Sequence, residues 1–313
     1  MIRTILIVSV VATLLGVCAA SVPQLQTSQK QAHQFGLFIA ANDQQLQFAH
    51  DAGFDTVISY DLLQQAPQDI QAHLDRAKQL GLKVIINLES FWPEVDSGAE
   101  VQAAFRRNFG GTFDDWASQA TERYQAHPAV WGFNITDELP EAPETIGTWP
   151  TRLARRAELV RAHTTKPVMA TLIGWSEDDQ QTRRTFLSAV KPAVDALALD
   201  YYPIPEQSQP GPISRISLIA QDLAAVNQGQ GWFVTQAFSW TDSQWARPQG
   251  ESMHMPPHSA APTAAQMVQM AKLAIDNGAP NVLFYSLVDA QATPGQPEQI
   301  RQAMQQLRQL YPQ

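Results

Sequence analysis

The sequence predicts an α/β fold, a single-domain (β/α)8 barrel behind an N-terminal export signal, and three observations predict it. Eight short apolar runs alternate strictly with eight helix-length amphipathic stretches, the order of a parallel sheet with helical crossovers. Gly stands just past three of those helices, where a left-handed C-cap is wanted, and a new strand begins soon after each. No Gly-rich phosphate loop follows the first strand, so the count of eight favours closure over an open doubly wound sheet. At 313 residues, 44% of them hydrophobic, the chain can bury one such core.

Residues 1–20 read as a signal peptide. Met1-Ile2-Arg3 is a basic start, Ile5 to Val17 is an apolar stretch, and Cys18-Ala19-Ala20 supplies small residues for cleavage. The competing reading is a lipoprotein signal acylated at Cys18, although Val17 stands where a smaller residue is wanted. Cys18 is the only cysteine, so a cleaved form has no disulfide or thiol chemistry. The expectation is a secreted or periplasmic protein, on a membrane only if lipidated at Cys18. Residues 21–34 are polar and Gln-rich, a linker, and residues 35–313 carry the barrel.

The strands are expected at Phe35 to Asn42, Asp55 to Asp61, Leu82 to Glu89, Val130 to Glu138, Pro167 to Trp175, Ala196 to Tyr202, Trp232 to Trp240 and Asn281 to Asp289. Gln44 to Ala52, Gln68 to Leu80 and Ala264 to Asn277 are the helices that end on Gly53, Gly81 and Gly278. The others are Phe113 to Ala126, Thr151 to His163, Gln181 to Val190, Ser214 to Asn227 and Glu298 to Leu310. One connection, Thr241 to Pro262, is long enough to cover a cleft on the catalytic face.

In such barrels chemistry sits at the C-terminal ends of the strands, and side-chain alternation sorts each strand into inner and outer sets. Bulk sends Trp131, Phe133 and Ile135 outward, leaving Asn134, Thr136 and Glu138 inside. Likewise Asn87 and Glu89 end strand three, Asp200 and Tyr202 end strand six, and Ser59 and Asp61 share a face near the end of strand two. With Gln236 of strand seven, these place Asp61, Glu89, Glu138, Asp200, Tyr202 and Gln236 at one mouth. Carboxyl groups so close cannot all stay ionised, and one with a raised pKa suits protonation of a glycosidic oxygen. Trp92, Trp175 and Trp240 fall at or beyond strand ends, where they fit a platform for sugar rings.

Net charge of −9 and a pI near 5.2 leave no basic footprint for nucleic acid and suit a neutral or weakly charged ligand. No cofactor is expected. His254 and His258 are the only closely spaced histidines, but the intervening prolines prevent a helix that would align them on a metal. The absence of a Gly-x-Ser-x-Gly elbow argues against an α/β-hydrolase esterase. The oligomeric state is not legible.

The segment Trp131-Gly-Phe-Asn-Ile-Thr-Asp-Glu-Leu-Pro140 resembles strand four of the clan A–like TIM-barrel glycoside hydrolases, and Phe233 to Phe238, Pro262 to Met267 and Asn277 to Ser286 resemble the last two units of uncharacterised barrels of that superfamily. The resemblance implies that Glu138 is the general acid/base. Two departures stand out: Asp137 replaces the usual Asn, and Gln236 stands where the clan's nucleophilic Glu ends strand seven. An amide cannot serve as that nucleophile. Three readings follow. Asp200 or Glu89 replaces the missing carboxylate, with Gln236 holding a substrate hydroxyl; a separation near 5 Å then favours retention and roughly 6.5–9.5 Å inversion. Alternatively Asp137-Glu138 resembles the acid pair of barrels acting on 2-acetamido sugars, if the strand bulges to turn Asp137 inward. The third reading is a barrel that binds saccharide without cleaving it.

Overall fold

The structure, a computed structural model, describes residues 33–93, 97–138, 147–173, 180–204, 213–227, 230–239 and 261–312. Eight parallel strands close on themselves: β1 (Gln34–Phe38), β2 (Thr56–Ser59), β3 (Lys83–Asn87), β4 (Val130–Asn134), β5 (Val168–Ile173), β6 (Ala196–Tyr201), β7 (Trp232–Gln236) and β8 (Asn281–Tyr285). The ring shuts where β1 pairs with β8, Gln34 opposite Asn281 through Leu37 opposite Phe284. The predicted signal peptide with Cys18, the linker up to residue 32, His254, His258 and most of the long seventh connection lie outside the described residues; the last linker residue, Gln34, begins β1.

Helices α1 (Asp43–Ala52), α2 (Pro67–Gln79), α3 (Gly98–Phe109), α4 (Phe113–Tyr124), α5 (Trp149–Arg161), α6 (Gln180–Val190), α7 (Arg215–Asn227), α8 (Ala264–Asp276), α9 (Leu287–Ala290) and α10 (Gln296–Leu310) accompany the strands. Their ends are written locally. The Asn42 side chain accepts from the Gln45 amide to start α1, and Gly53 ends it at φ 90°, a conformation that penalises any side chain. Thr263 and Gln266 form a reciprocal capping box on α8. Helix α3 was not expected, because the sequence predicts only one helix between β3 and β4, at the position of α4.

Two apolar layers result. The larger lies between barrel and helices and includes Phe133, Ile135, Leu197 and Leu199. The smaller fills the barrel with Phe38, Ile58, Ile85, Met169, Ala196, Ala198, Trp232, Val234 and Leu283. Trp131 belongs with the second, which corrects its outward assignment. The β3–β4 register slips by one residue, Val84 facing Val130 but Ile85 facing Gly132, so Trp131 sits in a bulge and packs edge-on against Trp232 at 5.7 Å.

Two charged clamps hold the N-terminal ends of the strands. Asp55 Oδ2 accepts from the Phe35 amide at 2.8 Å and from Arg308 Nη2, while Arg308 Nε donates to Gly53 O at 2.9 Å. Asp195 Oδ2 accepts from the Val168 amide at 2.8 Å, and Arg161 donates to Asp195 Oδ1 at 2.9 Å and to Ala193 O at 2.6 Å. Both lie on the face opposite the mouth, so they bear on stability.

Candidate active site

Above the apolar filling a polar layer crosses the barrel. Thr171 Oγ1 donates to Asn134 Oδ1 at 3.3 Å, Asn134 Nδ2 to Asn87 Oδ1 at 3.2 Å, and the Glu89 amide also donates to Asn87 Oδ1 at 3.2 Å. Asn87 therefore ties the buried layer to the first residue of the 3-10 turn Glu89–Phe91, which follows β3. The Glu89 carboxyl accepts from the Asp137 backbone N–H. Burial, then the nearby Glu138 charge, push Glu89 from 4.5 up to about 8, against the opposing pull of that amide and of the Arg156 guanidinium.

Beyond β4 the chain bends. Glu138 has φ 46°, the one positive φ of a non-glycine among the described residues. That conformation costs on the order of 1–2 kcal/mol and persists where surroundings hold it, most often at functional sites. Asp137 is buried, and its Oδ2 accepts from the Tyr60 hydroxyl, while Glu138 is exposed. Simple alternation puts Asp137 outside; the bend brings it to the mouth. Burial, reinforced by the Glu138 charge, raises the Asp137 pKa well above the usual carboxylate range.

Aromatic rings surround these acids. Tyr60 stacks on Phe38 at 5.7 Å and meets Tyr285 edge-on at 6.3 Å. Tyr202 lies 5.7 Å from Tyr285 and 5.5 Å from Phe238. Burial and then Asp200, with smaller contributions from Glu138, Tyr285 and Asp137, raise the Tyr202 hydroxyl well above its ordinary pKa, so it stays a neutral hydrogen-bonding group. Asp200 itself is buried beneath it.

Glu89, Asp137, Glu138, Asp200 and Tyr202 thus share one electrostatic neighbourhood, and three expected residues, Asp61, Gln236 and Trp92, do not join them. Asp61 points into the first two connections: its Oδ1 accepts from the Ala41 amide at 2.9 Å and from Ser59 Oγ, and its charge acts on buried His73 of α2. Tyr60, one residue earlier, takes the inward place. Gln236 is fully buried, with Oε1 accepting from the Ile204 amide at 3.0 Å and Nε2 donating to Ile204 O and Phe238 O at 3.2 and 3.0 Å. It fastens the β6 and β7 loops and presents nothing to a sugar hydroxyl. Trp92 is 1% exposed, donates from Nε1 to Ile135 O at 2.6 Å and lies in the outer layer, so it is wall rather than platform. Trp175 and Trp240 lie outside the described residues. Sequence reasoning missed Tyr60, Tyr285 and Arg156; alternation carried forward from Ile58 and Leu283 would have found the two tyrosines.

No protein-family profile matches the chain, and no curated protein matches it by sequence. Solved structures do match. A barrel assigned as an alpha-L-fucosidase from Bacteroides thetaiotaomicron superposes with a TM-score of 0.56 at 13% identity, covering 97% of this chain and 99% of its own. A class V chitinase from Pseudomonas fluorescens gives 0.53 at 11% identity, over 87% and 100%. A glucosidase from Croceicoccus marinus gives 0.51 at 14%, over 88% and 66%. The fold is the TIM barrel that these solved structures share. Identities this low carry the fold and leave the activity to be argued from the site.

Proposed function

We propose that the chain hydrolyses a glycosidic bond in an extracytoplasmic poly- or oligosaccharide, using Glu89 and Glu138 as its working carboxyl groups. The observation that carries this reading is their unequal setting: Glu89 is partly buried and holds its proton up to about pH 8, beside an exposed Glu138. A two-carboxyl glycosidase needs that asymmetry, one group to protonate the leaving oxygen and one charged group across the sugar. Glu89 then gives its proton to the glycosidic oxygen as the C–O bond breaks. Glu138 either attacks the anomeric carbon or takes a proton from the attacking water. The apolar segment near Met1 supports action outside the cytoplasm.

This exchanges the roles that the family resemblance implies, where Glu138 is the donor. The test is reducing-end release from a panel of glycans by wild type, Glu138→Gln and Glu89→Gln. Both variants are expected to lose at least about a hundredfold in rate, and the wild-type rate to fall as pH rises through about 8. A rate on a confirmed substrate that survives either substitution would overturn the assignment.

One observation favours a second reading. Asp137 is turned into the mouth, its carboxyl pushed well above the usual carboxylate range by burial, and bound to Tyr60, which suits support of a substrate acetamido group next to Glu138. Cleavage confined to 2-acetamido sugars, with Asp137→Asn as damaging as Glu138→Gln, would favour it.

A further inference from the structure

Beside the mouth lies a cavity of about 460 Å³ lined by Trp92, Pro93, Arg152, Arg155 and Arg156. We infer that it is a subsite for a carboxylate-bearing sugar of the substrate; the inference rests on the glycosidase reading above and names its substrate class.

Positive charge is concentrated among the described residues that line it. The chain carries a net −9, yet three arginines fall within five residues of α5, at spacings that put them on one helix face. They occupy the first two turns, and Arg152 in the first lies where the backbone dipole presents positive potential. The first turn contains no acidic residue, and Arg152 stacks on Trp149 at 5.1 Å. Arg155 pairs with exposed Asp114 of α4. Arg156 is 2% exposed, donates to Ile135 O at 3.2 Å and lies 4.8 Å over the Trp92 ring. Its charge is therefore fixed in place beside the exposed Arg152 and Arg155, whose planar guanidinium groups suit a carboxylate.

Position links this cavity to the chemistry. Helix α5 is the crossover after β4, so its N-terminal turns stand on the same face as Asp137 and Glu138. Trp92 follows the turn that begins at Glu89, and Arg156 is close enough to Glu89 to act on its charge. A saccharide lying across the mouth can put one acidic group into the cavity while a neighbouring linkage reaches Glu89.

The experiment is calorimetric titration of the wild-type chain with tetragalacturonic acid and with a neutral galactose tetrasaccharide, repeated with the Arg152→Gln/Arg155→Gln double variant. Both positions are exposed, so the fold should survive. The acidic ligand is expected to bind roughly tenfold or more tightly than the neutral one, with the preference shrinking between about 20 and 300 mM salt. It should disappear in the double variant. Equal affinity for the two ligands, binding of neither, or a preference untouched by the double variant would overturn the subsite. Reducing-end release measured in parallel separates the two claims: charge discrimination without hydrolysis sinks the glycosidase reading alone, and hydrolysis without discrimination sinks the subsite alone.

Discussion

Replacing Glu89 by Gln should make the protein more stable and inactive at once. Gln has the shape of the protonated acid and can still accept from the Asp137 amide. The folded chain holds Glu89 at about 8 against 4.5 for a free group. Folding therefore favours the protonated form: the stability associated with Glu89 is complete below pH 4.5 and is lost as pH rises towards 8. Each pH unit in that window costs about 1.4 kcal/mol, which accumulates to roughly 3 kcal/mol at pH 7. Allowing for partial solvent access, Glu89→Gln should gain about 2–3 kcal/mol at pH 7 and nothing at pH 4, or on the order of 5–10 °C in Tm for a domain of this size. Thermal and urea melts of wild type and variant across pH 4 to 9 measure the difference, in which the other titrating groups largely cancel. Equal melting temperatures at pH 7, or a gain that does not depend on pH, would refute the claim that the fold keeps Glu89 neutral.

Tyr60→Phe removes the donor to buried Asp137 and leaves that carboxyl without its side-chain partner; a loss of about 1–3 kcal/mol by urea melts and a rate at least roughly tenfold lower are expected, and an unchanged rate would remove Asp137 from the chemistry. Gln236→Glu tests whether the missing strand-seven carboxylate can simply be restored. It would set a charge against the Ile204 and Phe238 carbonyls in a fully buried site, so melts should show destabilisation by several kcal/mol and assays no gain in rate.

The barrel was legible because burial on both sides makes its strands apolar and its helix ends carry their own signals: Gly53, Gly81 and Gly278 each take the left-handed φ expected of them. What alternation could not supply were departures from it. A one-residue bulge sends Trp131 inward, and a bend at Glu138 returns Asp137 to the mouth. Neither has a signature stronger than the propensities of the residues involved. Asp61 and Tyr60 differ by a single step of register, and preferring the acid to the ring chose the wrong face. Gln236 and Trp92 occupy near-active positions but are bound to backbone groups, a commitment visible only once the loops are in place. Arg156 went unnoticed because it lies on a helix, outside the strand-end positions where chemistry was sought.

The two charged clamps have a relation of their own. Arg308 follows β8 and grips the turn before β2, while Arg161 follows β4 and grips the turn before β6; each reaches an aspartate and the carbonyl two residues before it. The contacts are half a revolution apart around the ring. Divided after α5, the chain becomes two four-stranded halves, each lending its last helix to the first turn of the other. Each aspartate takes a backbone amide from its own half and its arginine from the other, so the two charge pairs tie the halves together at opposite sides of the ring.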